Sequence, residues 1–101
     1  MIEELLAVKR YVSVVHHVEG RIRLKVDPAI LKDPVSKRLE EISASIPGVL
    51  DKRVNMLARS VVLRYDPAVI KPQDMAVLLG ASDGESLAVL KKYEDFITDG
   101  I

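Results

Sequence analysis

Apolar and polar residues alternate most cleanly between positions 12 and 26. Val12, Val14, His16, Val18, Ile22, Leu24 and Val26 fall on even positions, while Ser13, His17, Glu19, Arg21, Arg23 and Lys25 fall on odd ones. A period of two predicts a long β-strand with one apolar and one polar face. Gly20 lies mid-run and predicts a bulge, a kink or a division of the strand into two pieces. Residues 2–10 carry helical spacing instead. Ile2, Leu5, Leu6 and Lys9 share a face, Glu3 and Glu4 lie in the first turn, and Lys9 and Arg10 in the last, the charge order that suits a helix dipole. A helix this short needs a surface to dock on.

Asp27-Pro28 ends the strand, and Asp33-Pro34 predicts a helix start, with the acid as N-cap and proline in the first turn. Val35, Leu39, Ile42 and Ile46 then recur at helical spacing until Pro47-Gly48 stops them. Val49 to Met56 reads as a second strand and Ser60 to Tyr65 as a third, joined by a turn around Leu57–Arg59. A helix from about Pro72 to Leu79 buries Met75, Leu78 and Leu79, with Gly80 as its stop. Ser82 and Glu85 form a capping box that opens a last helix over 82–98, striped by Leu87, Leu90, Tyr93, Phe96 and Ile97. The order β-α-β-β-α over residues 11–80, with an extra helix at each end (1–10 and 82–98), predicts an α+β, ferredoxin-like fold whose fourth strand is short or missing. No repeat, linker or low-complexity stretch divides residues 1–101, so a single domain is expected.

Composition narrows the function more than it names it. Fifteen basic residues balance fifteen acidic ones, so any electrostatic role depends on how charge is distributed over the surface. There are no cysteines, which excludes disulfides, zinc fingers, thiolate copper sites and thiol catalysis. The first residues carry acids where a secretion signal carries positive charge. No stretch approaches the ~20 apolar residues of a membrane span. A cytoplasmic protein is expected. No Ser-His-Asp order, glycine-rich phosphate loop or HExxH motif is present, so no enzyme is expected, and Asp27 and Asp33 are read as strand end and helix cap.

The run HHVEGRIRLKV, the corner SIPGV and the segment KRVNMLARSVVLRYDP, in that order and spacing across residues 16–79, resemble heavy-metal-associated domains, and the GRIRLKV form a divergent branch of them. The resemblance implies a ferredoxin-like fold and a role near cation transport, with a cation-transporting ATPase among the implied partners. In that family a CxxC loop after the first strand holds a soft metal ion. The matching segment here, Val26-Asp27-Pro28-Ala29-Ile30-Leu31-Lys32-Asp33, has no Cys, Met or His. No metal ligand carries over, and thiolate copper chaperoning is excluded. The resemblance therefore implies a non-enzymatic interaction or accessory domain without a cofactor.

Three features are candidate sites. His17 and Glu19 share a strand face about 7 Å apart and are a low-ranked metal or haem pair, with His16 on the opposite face. The plainer reading is an exposed His17 and a hydrogen-bonded His16 at the core edge. Arg21, Arg23 and Lys25, joined by Arg64 and Arg53 from neighbouring strands, form a basic sheet face for a phosphate-bearing or acidic partner. The plainer reading there is a solvated face, or one covered by the terminal helices. Specific nucleic-acid binding is disfavoured, because that face offers no stacking aromatics apart from Tyr11 at its far end. The terminal helices are expected to cover the open sheet face or to form a homodimer interface.

Overall fold

The structure, a computed structural model, describes residues 2–93. Helix α1 (Ile2–Lys9) leads into strands β1 (Val12–Val18) and β2 (Arg21–Val26). Two 3-10 segments, Pro28–Lys32 and Pro34–Arg38, precede helix α2 (Leu39–Ser45). Strands β3 (Val49–Asn55) and β4 (Ser60–Tyr65) follow, then helices α3 (Pro72–Gly80) and α4 (Asp83–Lys92). The four strands form one sheet in the order β1-β2-β4-β3, antiparallel at every pairing. The architecture is α+β, with the helices gathered on one face of the sheet.

No strand follows α3 among the described residues, and the fourth strand of the sheet comes from the N-terminal side instead. It is the first half of the alternating run, which folds back on itself at Glu19-Gly20. Gly20 adopts φ +84, a left-handed conformation cheap only for glycine, and its carbonyl accepts the Tyr65 N–H at 3.0 Å. Such a tight turn pairs odd residues of β1 with even residues of β2, as in His17 with Ile22. Continued unbroken, that register would face Val15 and Ser13 toward the core and turn Val14 and Val12 out. A bulge at Val15 absorbs one residue and restores the match, so Val14 pairs with Leu24 and Val12 with Val26. The uniform even-odd pattern thus conceals one reversal and one compensating bulge.

The expected continuous helix from residue 34 is also divided. Asp27 and Asp33 each accept the backbone N–H two residues on, from Ala29 and Val35, both at 2.9 Å, and each opens a 3-10 segment. Regular α-helix begins only at Leu39, after Arg38 leaves helical dihedrals. Helix α3 runs through Gly80 rather than stopping there, because Ser82 immediately caps α4 by accepting the Glu85 N–H. The expected extension of that last helix to residue 98 lies, from residue 94 on, outside the described residues.

The described residues of the terminal helices do not cover the open sheet face. Leu5 of α1, together with Val89 and Leu90 of α4, is buried in the same cluster as Ile22, Leu24, Leu63, Tyr65, Ile42, Met75 and Leu78. The described parts of both helices therefore belong to the layer already over the sheet, with Leu5, Val89, Leu90 and Tyr93 packed inside it. Burial of each such side chain contributes about 1.5–3 kcal/mol, enough to hold helices of eight and ten residues that would not persist alone. Lys9 fixes the arrangement. Its ammonium donates to the Ala81 carbonyl at 2.6 Å and lies 3.2 Å from the Asp83 carboxylate, tying the end of α1 to the α3–α4 corner.

Candidate functional site

Among the described residues, nothing covers the face of the sheet away from the helices. Along β2 it presents Arg21, Arg23 and Lys25, along β4 Arg64, and along β3 Arg53, all exposed. Arg21 lies directly opposite Arg64, and Arg23 and Arg53 flank Val62 from its two sides. Like charges placed directly across a ladder are destabilising. The acid on the outer side of these three strands is Asp51, whose carboxylate lies 3.9 Å from the Arg64 guanidinium in an exposed, loose pair. Arg21, Arg23, Lys25 and Arg53 make no salt bridge among the described residues. The arrangement concentrates uncompensated positive charge on a flat surface while the chain as a whole is neutral.

No Phe, Tyr or Trp ring stands on this face among the described residues. Tyr11 does not point across it as its parity suggested: its hydroxyl donates to Asp33 at 2.8 Å. The Val35 N–H and then the Tyr11 hydroxyl hold the Asp33 carboxyl below its usual range, and the same bond is the first cause raising Tyr11. Tyr65 faces the core and Tyr93 is buried beside α3.

The histidines exchange their expected places, because they lie between the turn at Gly20, which pairs His17 with Ile22, and the bulge at Val15, which restores the parity only before it. His16 is exposed on the bare face opposite Arg23. His17 turns to the helix side, where its Nε2 lies 2.6 Å from the Tyr65 hydroxyl and the two rings sit 5.8 Å apart. Partial burial, followed by the nearby His16, lowers the His17 pKa and favours the neutral ring. Glu19 is exposed in the turn. The structure thus does not bring His16, His17 and Glu19 together, and no three His, Asp or Glu residues among the described ones gather closely enough to hold a metal.

A second feature escaped the sequence reading. Between the inner sheet face and the layer formed by α1, the 3-10 segments and α2 lies a cavity of about 400 Å³. Its floor includes Leu24, Val61 and Leu63, its roof Ile30 and Ile42, and its mouth Leu31, Val54 and Met56. Lys52 also lines it, on the inner side opposite Leu63, with its ammonium directed to Glu40 at 2.6 Å. Lys52 and Val54 share the inward parity of β3, but that parity does not show that a cavity lies beneath them. No family model, curated protein or solved structure matches the chain.

Proposed function

We propose that this chain is a non-enzymatic interaction domain that docks an acidic protein surface on the bare face of its sheet. One observation carries the reading. Arg21, Arg23, Lys25, Arg53 and Arg64 share that face against the single carboxylate of Asp51 on the same strands. A flat, rigid, cationic sheet recognises opposite charge through steering and charge-assisted hydrogen bonds, and arginine supplies several donors at each position. The path β2–α2–β3–β4–α3, with β1 on the outer edge beside β2, is compatible with a ferredoxin-like sheet whose edge strand comes from the N-terminal side. Together with the likeness of GRIRLKV and SIPGV to heavy-metal-associated domains, it supports a partner in cation-transport machinery, such as a cation-transporting ATPase. A cytoplasmic setting belongs to the same proposal. No helix among the described residues is long and apolar enough to cross a membrane.

The test compares a labelled oligoglutamate peptide with a single-stranded RNA of equal charge, titrated against the protein by fluorescence anisotropy over a salt series. The expected result is peptide binding at low salt that weakens as salt rises and is lost in the Arg21→Glu, Arg23→Glu double variant. Binding of RNA alone would replace this reading with a nucleic-acid one. Absence of peptide binding at low salt would end it.

A further inference from the structure

The cavity beneath the sheet opens away from the bare face, meets only Lys25 of that face's basic residues, through the neighbouring depression, and points to a ligand of its own. Its existence follows from the roof. Pro28 and Pro34 divide the chain after β2 into two short 3-10 segments, and only the seven residues of α2 are regular helix. The roof over β3 and β4 is therefore thin. On the floor, β3 places Lys52 where a large apolar side chain would fill the space, and its amine reaches outward to Glu40. The space is of a size that holds small ligands and is lined mainly by aliphatic side chains. Around its opening Leu31, Val54 and Met56 are 74%, 59% and 84% exposed. Large apolar groups clustered at a rim mark a site that something apolar enters.

Beside the cavity lies a shallow depression of about 340 Å³, which shares Val12, Val26, Pro28 and Arg59 with it as common walls. Arg10, Lys25 and Arg59 line this depression, all exposed, and none of them forms a salt bridge among the described residues. The acid that lines it, Asp27, already accepts the Ala29 N–H, and nearby Asp33 is held by Val35 and Tyr11. Arg59 stands on the wall between the two spaces in a left-handed conformation, φ +53, which is uncommon for a residue with a side chain. Three bonds keep it there. Its carbonyl accepts the Val26 N–H at 2.8 Å, its own N–H donates to the Met56 carbonyl at 3.3 Å, and the turn before it is closed by Asn55 accepting from Ala58 at 3.0 Å.

An aliphatic chamber adjoining a cationic shelf is complementary to one kind of molecule. We propose that this chain binds a single-chain anionic amphiphile, its alkyl tail in the cavity and its carboxylate or phosphate head on Arg10, Lys25 and Arg59. The chamber suits one chain and not the paired chains of a phospholipid. Three guanidinium or ammonium groups select an anionic head over a cationic one.

The experiment titrates the full chain with dodecanoate and dodecyl phosphate below their micelle concentrations, by isothermal calorimetry. Dodecyltrimethylammonium, which has the same tail and the opposite head, and inorganic phosphate are the controls. The expected result is one anionic amphiphile per chain, with the cationic one weaker by roughly tenfold or more and phosphate alone not measurable. Val54→Trp, which blocks the mouth from an exposed position, removes binding. The Arg10→Ala, Arg59→Asn double variant weakens the anionic ligands and narrows or removes their advantage over the cationic control. Melting curves show that both variants are folded, and Arg21→Glu with Arg23→Glu separates this site from the sheet face. Offering lysophosphatidic acid in phosphatidylcholine vesicles identifies the source. Transfer of the lipid to protein on gel filtration indicates a carrier, whereas co-sedimentation of protein with the vesicles indicates a membrane-anchored ligand. Equal affinity for both head charges, unchanged binding in Val54→Trp, or no binding of either anion would overturn the proposal.

Discussion

The helical layer is built to two different standards. Over β1 and β2 lie α3 and α4, where Met75 and Leu78 are completely buried and Ser86, also completely buried, donates to the Val77 and Leu78 carbonyls at 3.2 and 3.0 Å. There Asp74 accepts from both Lys92 and the Tyr93 hydroxyl, at 2.9 and 2.7 Å, and among the described residues no buried side-chain nitrogen or oxygen lacks a partner. Burial alone would raise the Asp74 carboxyl, and these two donors overcome it and hold it below its usual value. Over β3 and β4 lie the 3-10 segments and α2, with a cavity, an inward lysine and an exposed apolar rim. One half holds the fold together. The other half has volume and surface that stability does not require, which is where a ligand site can be accommodated.

The sharpest way to break this contrast is to truncate one apolar side chain on each side. Leu78→Ala should destabilise the protein by about 2–5 kcal/mol in urea unfolding, because a closely packed site leaves a void. A cost near zero would show that α3 is no better packed than α2. Gly48→Ala comes next. Its φ is +80 and an added Cβ would lie 3.0 Å from the Val69 Cβ and 3.2 Å from the Asp66 carbonyl, so a loss of about 1–2 kcal/mol is expected from backbone strain, with the clash added.

The third prediction concerns pH. His17 has a lowered pKa in the folded chain, so the unfolded chain binds a proton more readily between the two values. Its contribution to stability is complete above the ordinary imidazole value of 6.5 and is lost as pH falls through the lower, folded-state value. Stability measured from pH 8 to pH 4 should fall through that window, and His17→Gln should flatten this component of the slope. An unchanged slope would remove His17 from the account. The smallest effect belongs to the open side, where Val54→Ala should stay within about 0.5 kcal/mol of the parent. A cost comparable to Leu78→Ala would mean that the rim is core, and the two halves would no longer differ.

Much of this was legible in residues whose signals are local. Ser60 to Tyr65 emerged with the bounds read from alternation, Asp33 and Ser82 cap as their side chains suggested, and Met75, Leu78 and Leu79 are buried at helical spacing. The hairpin was not resolved because a reversal at Gly20 and a bulge at Val15 leave the parity of Val12, Val14, Ile22 and Leu24 intact. Each device hides the other, and only pairing reveals them. His16 and His17 lie between the two devices, which is why their facings were read the wrong way round. Arg21, Arg23, Lys25, Arg53 and Arg64 could be placed on one face from strand order and parity alone. The cavity could not, because a void depends on how far apart α2 and β4 settle, and no residue spacing encodes that distance.

The bulge has a consequence for the length of the chain itself. Val15 is one residue more than the pairing of β1 with β2 consumes, so deleting it would leave every partner from Val12–Val26 to Val18–Arg21 in place. What the deletion would take away is the irregularity of an outermost strand, the kind of defect that keeps neighbouring molecules from adding strand to strand. A shortened variant should therefore stay folded and instead gain a tendency to join edge to edge, visible as concentration-dependent mass rather than as a lower melting temperature. On that reading the extra residue governs the behaviour of the protein in company more than its stability alone.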